Sequence, residues 1–240
     1  MTSAKPQWYC ARLSPAGGFL MQLYLVRHGI AVDGGEAIPD GSRGLTDKGR
    51  RRFHRTARAF GKLGYKLDLI LTSPLVRAVQ TAEILAGATK HGEVAVLEEL
   101  DPKFDVASLR AAVAKRAGKS GAVALVGHEP QLSLALAALS GVSPADIDLK
   151  KGAIVRVDAS KLSDAKPVDV RWWLKPKTGT QVKGLPLQKG AAKKLRKAAR
   201  AEPGRKRKRV ARKTSPRKRA VAPPLNSPAR STGATVAASP

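Results

Sequence analysis

The stretch "LYLVRHGIAV", residues 23–32, decides how the rest of the chain is read. Leu23 to Val26 are apolar and strand-forming, and the run ends abruptly in Arg27, His28 and Gly29. Such a strand delivers a guanidinium and an imidazole together at its tip. The same construction returns twice downstream. Leu67–Thr72 is followed by Ser73, with Arg77 one helical turn further on, and Ala122–Val126 is followed by His128 and Glu129.

The first strand is read as Gln22–Arg27, and further strand-length apolar runs lie at Glu93–Leu97, Ala153–Val157 and Val170–Leu174. Segments of helical period separate the first four strands, which predicts a three-layer α/β/α domain with a mostly parallel central sheet. The helix from Thr46 or Asp47 to Gly64 puts Phe53, Ala57, Phe60 and Leu63 on one face and arginines on the other. A second follows Ser73 and Pro74, a third is capped by Asp105, and a fourth, "EPQLSLALAALSG", is apolar on nearly all sides and therefore expected to be buried. Of the adjacent Trp172 and Trp173, strand alternation sends one to the core and the other toward the surface.

In parallel sheets the loops after the strands open at the carboxyl edge, where ligand sites form. Arg27, His28, Ser73, Arg77 and His128 would converge there. Two guanidiniums and two imidazoles ringed by helix N-termini suit a tetrahedral dianion such as phosphate. Anion binding alone does not call for His28, because another arginine would do it better at neutral pH. A neutral imidazole is, however, a nucleophile able to accept a phosphoryl group and so split a hydrolysis into two easier steps.

"VRHG", "GLTDKG", "TSPLVRAVQTAE" and "ALVGHEP", in that order across residues 22–140, resemble the blocks of the histidine phosphatase superfamily, the phosphoglycerate-mutase-like fold. The short length, "LEELDPKFD", "LKKGAIVRVDA" and "RWWLKPK" are similar to its SixA-like phosphohistidine phosphatase branch, so that the resemblance runs to about residue 177. It implies a phosphatase acting on phosphohistidine or a small phosphomonoester. It makes His28 the phosphorylated nucleophile, Arg27 and Arg77 the phosphate clamps, and His128 the second histidine; Ser73 is placed to cap its helix and to touch phosphate. For the proton donor it leaves two candidates, Glu99 (with Glu98 behind it) and Glu129. No metal and no cofactor are implied. One departure stands out: many SixA-like sequences carry an acid directly after "RHG", and here the residue is Ile30, with Asp33 and Glu36 as possible replacements.

Composition divides the 240 residues. Of the 45 Lys and Arg behind the net charge of +27, 17 lie in the last 52 residues, where Glu202 is the sole acid. With almost no large apolar residues to offset ordering entropy, residues 178–240 are expected to form a disordered basic tail. Such a tail can hold nucleic acid or polyphosphate through phosphates and without sequence preference, and residues 189–240 carry that expectation. The rival reading makes this tail the functional part and the phosphatase-like domain weak or inactive. Residues 1–20 lack the apolar core of a signal peptide and read as an extension, with Met21 an alternative start. Cys10 is the lone cysteine, and the apolar runs fall well short of the ~20 residues that span a bilayer. A cytoplasmic protein without membrane contact is the expectation, with residues 21–177 as its domain.

Overall fold

The computed structural model describes residues 21–89, 92–118, 120–159 and 168–195. The expected N-terminal extension and the basic tail from residue 196 onward lie outside the described residues. All described residues belong to one unit, which spans Met1–Arg200.

Seven strands form one sheet in the order β3-β2-β4-β1-β5-β6-β7. They are β1 (Met21–Arg27), β2 (Leu69–Thr72), β3 (Glu93–Val96), β4 (Ala122–Gly127), β5 (Ile154–Ala159), β6 (Asp169–Leu174) and β7 (Gln181–Lys183). The first four run parallel, as the alternation of strands and helices predicts. From β5 onward the sheet continues antiparallel: β5 pairs with β1, β6 with β5 and β7 with β6. The sheet also outlasts the expected boundary at residue 177. The stretch "KPKTGTQVKGLPLQKG", most of which falls in the expected tail from residue 178 onward, turns back and lays β7 on β6, and Leu187 bridges to Ile147.

Strand alternation sorts the core into two layers. Tyr24, Val26, Ile70, Ala124 and Val126 pack with α1 (Asp47–Lys62) and α2 (Val76–Thr89). Leu23, Leu25, Leu71, Val123 and Leu125 face the other way, toward α3 (Val106–Ala117) and α4 (Gln131–Ser140). Each large apolar side chain fully withdrawn from water contributes about 1.5–3 kcal/mol, so β1 and β4, buried on both faces, anchor the fold. Trp172 joins Tyr24, Phe60 and Tyr65 in an aromatic cluster, and Trp173 is only partly buried, which is the division that strand alternation requires.

The caps follow the sequence. Thr46 Oγ1 accepts the Gly49 N–H at 2.9 Å, and Asp105 Oδ1 accepts the Ser108 N–H at 2.7 Å. The start of α2 differs: it begins at Val76, so Pro74 stands ahead of the helix, and Ser73 Oγ receives the Leu75 N–H at 3.3 Å. Gly49 matters to the site. Any Cβ there would run into the carbonyl oxygen of Ile30, so α1 can approach the loop after His28 only with glycine at this position.

Candidate active site

The end of β1 is held from both sides. The His28 N–H donates to the Gly127 carbonyl at 3.1 Å, and the Gly152 N–H reaches the carbonyls of Arg27 and His28, both at 3.0 Å. The imidazole is buried, 7% exposed, with Nδ1 2.6 Å from the Gly29 carbonyl oxygen. A carbonyl only accepts, so this hydrogen bond assigns the proton to Nδ1 and leaves the lone pair on Nε2. Burial pushes the His28 pKa down to about 3, with His128, Arg77 and Arg27 adding to the effect and the Gly29 hydrogen bond opposing it. The ring is therefore neutral at physiological pH.

His128, at the end of β4, sets its ring 4.9 Å from that of His28, centroid to centroid. Its Nε2 lies 2.8 Å from Ser73 Oγ. Burial, Arg77 and Arg27 hold its pKa near 4, against the pull of Asp40. Arg27 extends from β1 and donates through Nη1 to the Leu149 carbonyl at 2.7 Å. Arg77, in the first turn of α2, has a side chain only 7% exposed. Thr81 ties that turn to the loop after His28: its hydroxyl donates to the Arg77 carbonyl at 2.7 Å and accepts the Gly29 N–H at 3.1 Å.

Five of the residues expected from sequence thus meet at one edge: Arg27, His28, Ser73, Arg77 and His128. The two candidate acids separate. Glu129 is half-buried next to Arg27, and burial raises its pKa while Ser133 and Arg27 pull it down. Glu99 enters the network through its backbone carbonyl, which accepts from Gln131 Nε2 at 2.8 Å. Asp33 and Glu36, the possible replacements for the missing acid, are exposed. The acid that does reach the site is Asp40. Arg77 donates through Nη1 to the Asp40 carbonyl at 2.8 Å and through Nη2 to its Oδ2 at 3.0 Å. Nothing in the pattern of the "AVDGGEAIPDGS" loop singles out Asp40. Thr81 was not singled out from the sequence either, although its place one turn after Arg77 on the same helix face, in "RAVQTAE", is the signal that could have found it.

Three buried polar atoms without a hydrogen-bond partner belong to these residues: Arg27 Nε, His128 Nδ1 and Glu129 Oε1. Buried polar groups are usually satisfied in native proteins, so Arg27 Nε and His128 Nδ1 are left free to meet a ligand here. Cations, donors and a free imidazole lone pair at the carboxyl edge of a parallel sheet define an α/β protein with a site for a tetrahedral oxyanion.

Residues 23–102 match the model of the histidine phosphatase superfamily (branch 1). An uncharacterised protein of Picosynechococcus sp. is 39% identical over 137 residues, which cover 56% of this chain and 83% of that protein. The chain belongs to the histidine phosphatase superfamily, and it stands with the SixA-like members. The solved structure of the protein histidine phosphatase SixA complexed with tungstate shares the fold at a TM-score of 0.57 and 26% identity, over 65% of this chain and 97% of that one. A SixA from Agrobacterium tumefaciens has a TM-score of 0.56 at 22% identity, over 65% of this chain and 99% of its own, and shows the same fold.

Proposed function

We propose that this protein removes the phosphoryl group from phosphohistidine on a partner protein, through a phospho-His28 intermediate. The observation that carries the reading is the orientation of His28: Nδ1–H bound to the Gly29 carbonyl, Nε2 unprotonated, and the second histidine beside it. The similarity to the protein histidine phosphatase SixA supports the substrate class. The connection between β1 and α1, residues 28–46, is too short to fold as a separate cap, which favours a phosphoryl group presented on a protein surface.

In the first step Nε2 of His28 attacks phosphorus in line with the leaving nitrogen. The P–N bond to the substrate imidazole breaks as the new P–Nε2 bond forms. The leaving imidazole takes a proton, for which half-buried Glu129 is the better placed of the two acids, since burial favours its protonated form. Arg27, Arg77 and His128 stabilise the charge spread over the equatorial oxygens. In the second step water attacks phosphorus from the side the product vacated and gives a proton to the Glu129 carboxylate left by the first step, the P–Nε2 bond breaks, and inorganic phosphate leaves with His28 and Glu129 regenerated. With guanidiniums supplying the positive charge, the chemistry is proposed to run without a metal and to persist in a chelator.

The test is phosphate release from a phosphohistidine-bearing protein and from an aryl phosphate, by wild type and by His28→Ala. Turnover by wild type and a loss of about 10³-fold or more in the variant are expected, since removing a nucleophile leaves only residual catalysis by the rest of the site. Turnover that survives His28→Ala would overturn the mechanism.

The charge concentrated in residues 189–240 favours a second role, a sequence-independent anchor on nucleic acid or polyphosphate.

A further inference from the structure

Beside Arg27 lies a cavity of about 660 Å³, large enough for several side chains of a ligand. Its floor is apolar, made by Ile30, Trp173 and Pro176. Its rim is cationic, with Arg27, Arg52, Lys150, Lys151, Lys175 and Lys177, and among the described residues that line it there is no acid. Lys150 is paired with Asp148 at 2.8 Å, and Lys175 Nζ stands 5.9 Å from the centre of the Trp173 ring. Lys151 and Lys177 are exposed.

Two features of the sequence acquire a meaning here. Ile30, the residue directly after "RHG", is part of the floor; a carboxylate at that place would set a negative charge within the cationic ring. Trp173, the half of the tryptophan pair turned away from the aromatic core, gives the floor a flat apolar surface. Arg27 belongs to both the phosphoryl site and this cavity, so an occupant of one is a neighbour of the other.

Resting on the phosphoprotein reading above, we propose that this cavity receives an acidic segment of the substrate protein, adjacent to its phosphorylated residue, with an apolar side chain on Trp173 and carboxylates on the lysine rim. The charge complementarity selects the occupant: an uncharged or basic segment would leave the cations without partners or oppose them. Such a rim acts through encounter and ground-state affinity, so it lowers KM and leaves kcat in place.

The experiment uses the full-length protein and two synthetic peptides of equal length, each with one phosphohistidine, flanked in one by glutamates and a leucine and in the other by alanines. The glutamate peptide is expected to show a KM about tenfold lower at equal kcat, a difference that shrinks with added salt. A Lys151→Glu/Lys177→Glu variant is expected to abolish the difference while hydrolysing a simple aryl phosphate as wild type does. Equal KM values in wild type, or a preference that survives the double reversal, would overturn the proposal. Fluorescence anisotropy with the labelled, unphosphorylated glutamate peptide reads the cavity without catalysis. A loss of affinity of about tenfold in the variant supports the proposal, and an unchanged Kd overturns it, even if wild type hydrolyses no substrate at all and the phosphatase reading fails. Displacement of the peptide by short duplex DNA at equal concentration would also overturn it, and would make the surface a nucleic-acid site.

Discussion

His28 carries two requirements at once, a lone pair on Nε2 and a fixed ring. The Gly29 carbonyl meets both, because it anchors Nδ1–H and so excludes the other tautomer. Burial then keeps the ring neutral with a pKa near 3, far below that of a free imidazole. The sign of the consequence is definite. Between about pH 6.5 and 3 the unfolded chain protonates this histidine and the folded one does not, so folding loses stability as pH falls through that window. The ¹⁵N shifts of His28 are expected to stay those of the neutral Nδ1–H form from pH 8 down to pH 5; protonation with a midpoint above pH 5.5 would contradict the assignment. Asp40 shows a different kind of residue. Its carboxylate pairs with Arg43 as well as Arg77, and Arg43 is the main cause of its lowered pKa. Two buried or half-buried arginines are thereby held by one exposed acid at the mouth of the site.

At the scale of elements, the site depends on how closely α1 and α2 approach the loop after β1. The Ile30 carbonyl accepts the Thr46 N–H at 3.0 Å, and Gly49 lets the first turn of α1 lie against that carbonyl. The Gly49→Ala variant is expected to lose about 1–3 kcal/mol, the usual cost of forcing a methyl group into a filled space, read as a lower melting temperature. Because the strain falls on the segment that carries Gly29, the variant should also lower kcat more than its stability loss accounts for at a temperature where it remains folded. An unchanged melting temperature would show that α1 can shift away. The "GLTDKG" block therefore has a physical reason: a threonine cap followed at the third position by a residue without a side chain. Gln131 does similar work on the other face, where its Nε2 bonds the carbonyls of Glu99, Asp101 and Phe104 and fixes the turn that precedes α3.

At the scale of the whole molecule, the densest positive charge and the candidate site occupy different parts of the chain. The described residues hold the edge with Arg27, His28, Ser73, Arg77 and His128, and residues 201–240 lie outside the described residues. Removal of residues 201–240 is expected to leave aryl phosphate hydrolysis within about twofold and to weaken binding to duplex DNA. The full-length chain should lose DNA affinity steeply between low and physiological salt, as phosphate contacts by lysine and arginine require. Equal DNA binding by the two forms would place the polyanion contact in the folded unit. Among the described residues no helix is long and apolar enough to cross a membrane.

The chain's own pattern was enough for the parallel half of the sheet, four helices, two of their caps and five residues of the site. The reason is local: strand period, cap chemistry and the abrupt polar ends of apolar runs are all written within a few neighbouring residues. The antiparallel extension was less legible, because β7 has three residues and its pairing with β6 depends on a turn through a lysine-rich stretch. Asp40, the separation of Glu129 from Glu99, and the cavity floored by Ile30 and Trp173 belong to the tertiary structure alone. Each arises where segments distant in sequence come together. Burial, the charge on neighbouring groups and the space left between elements are properties of that assembly, and they decide which side chains the chemistry can use.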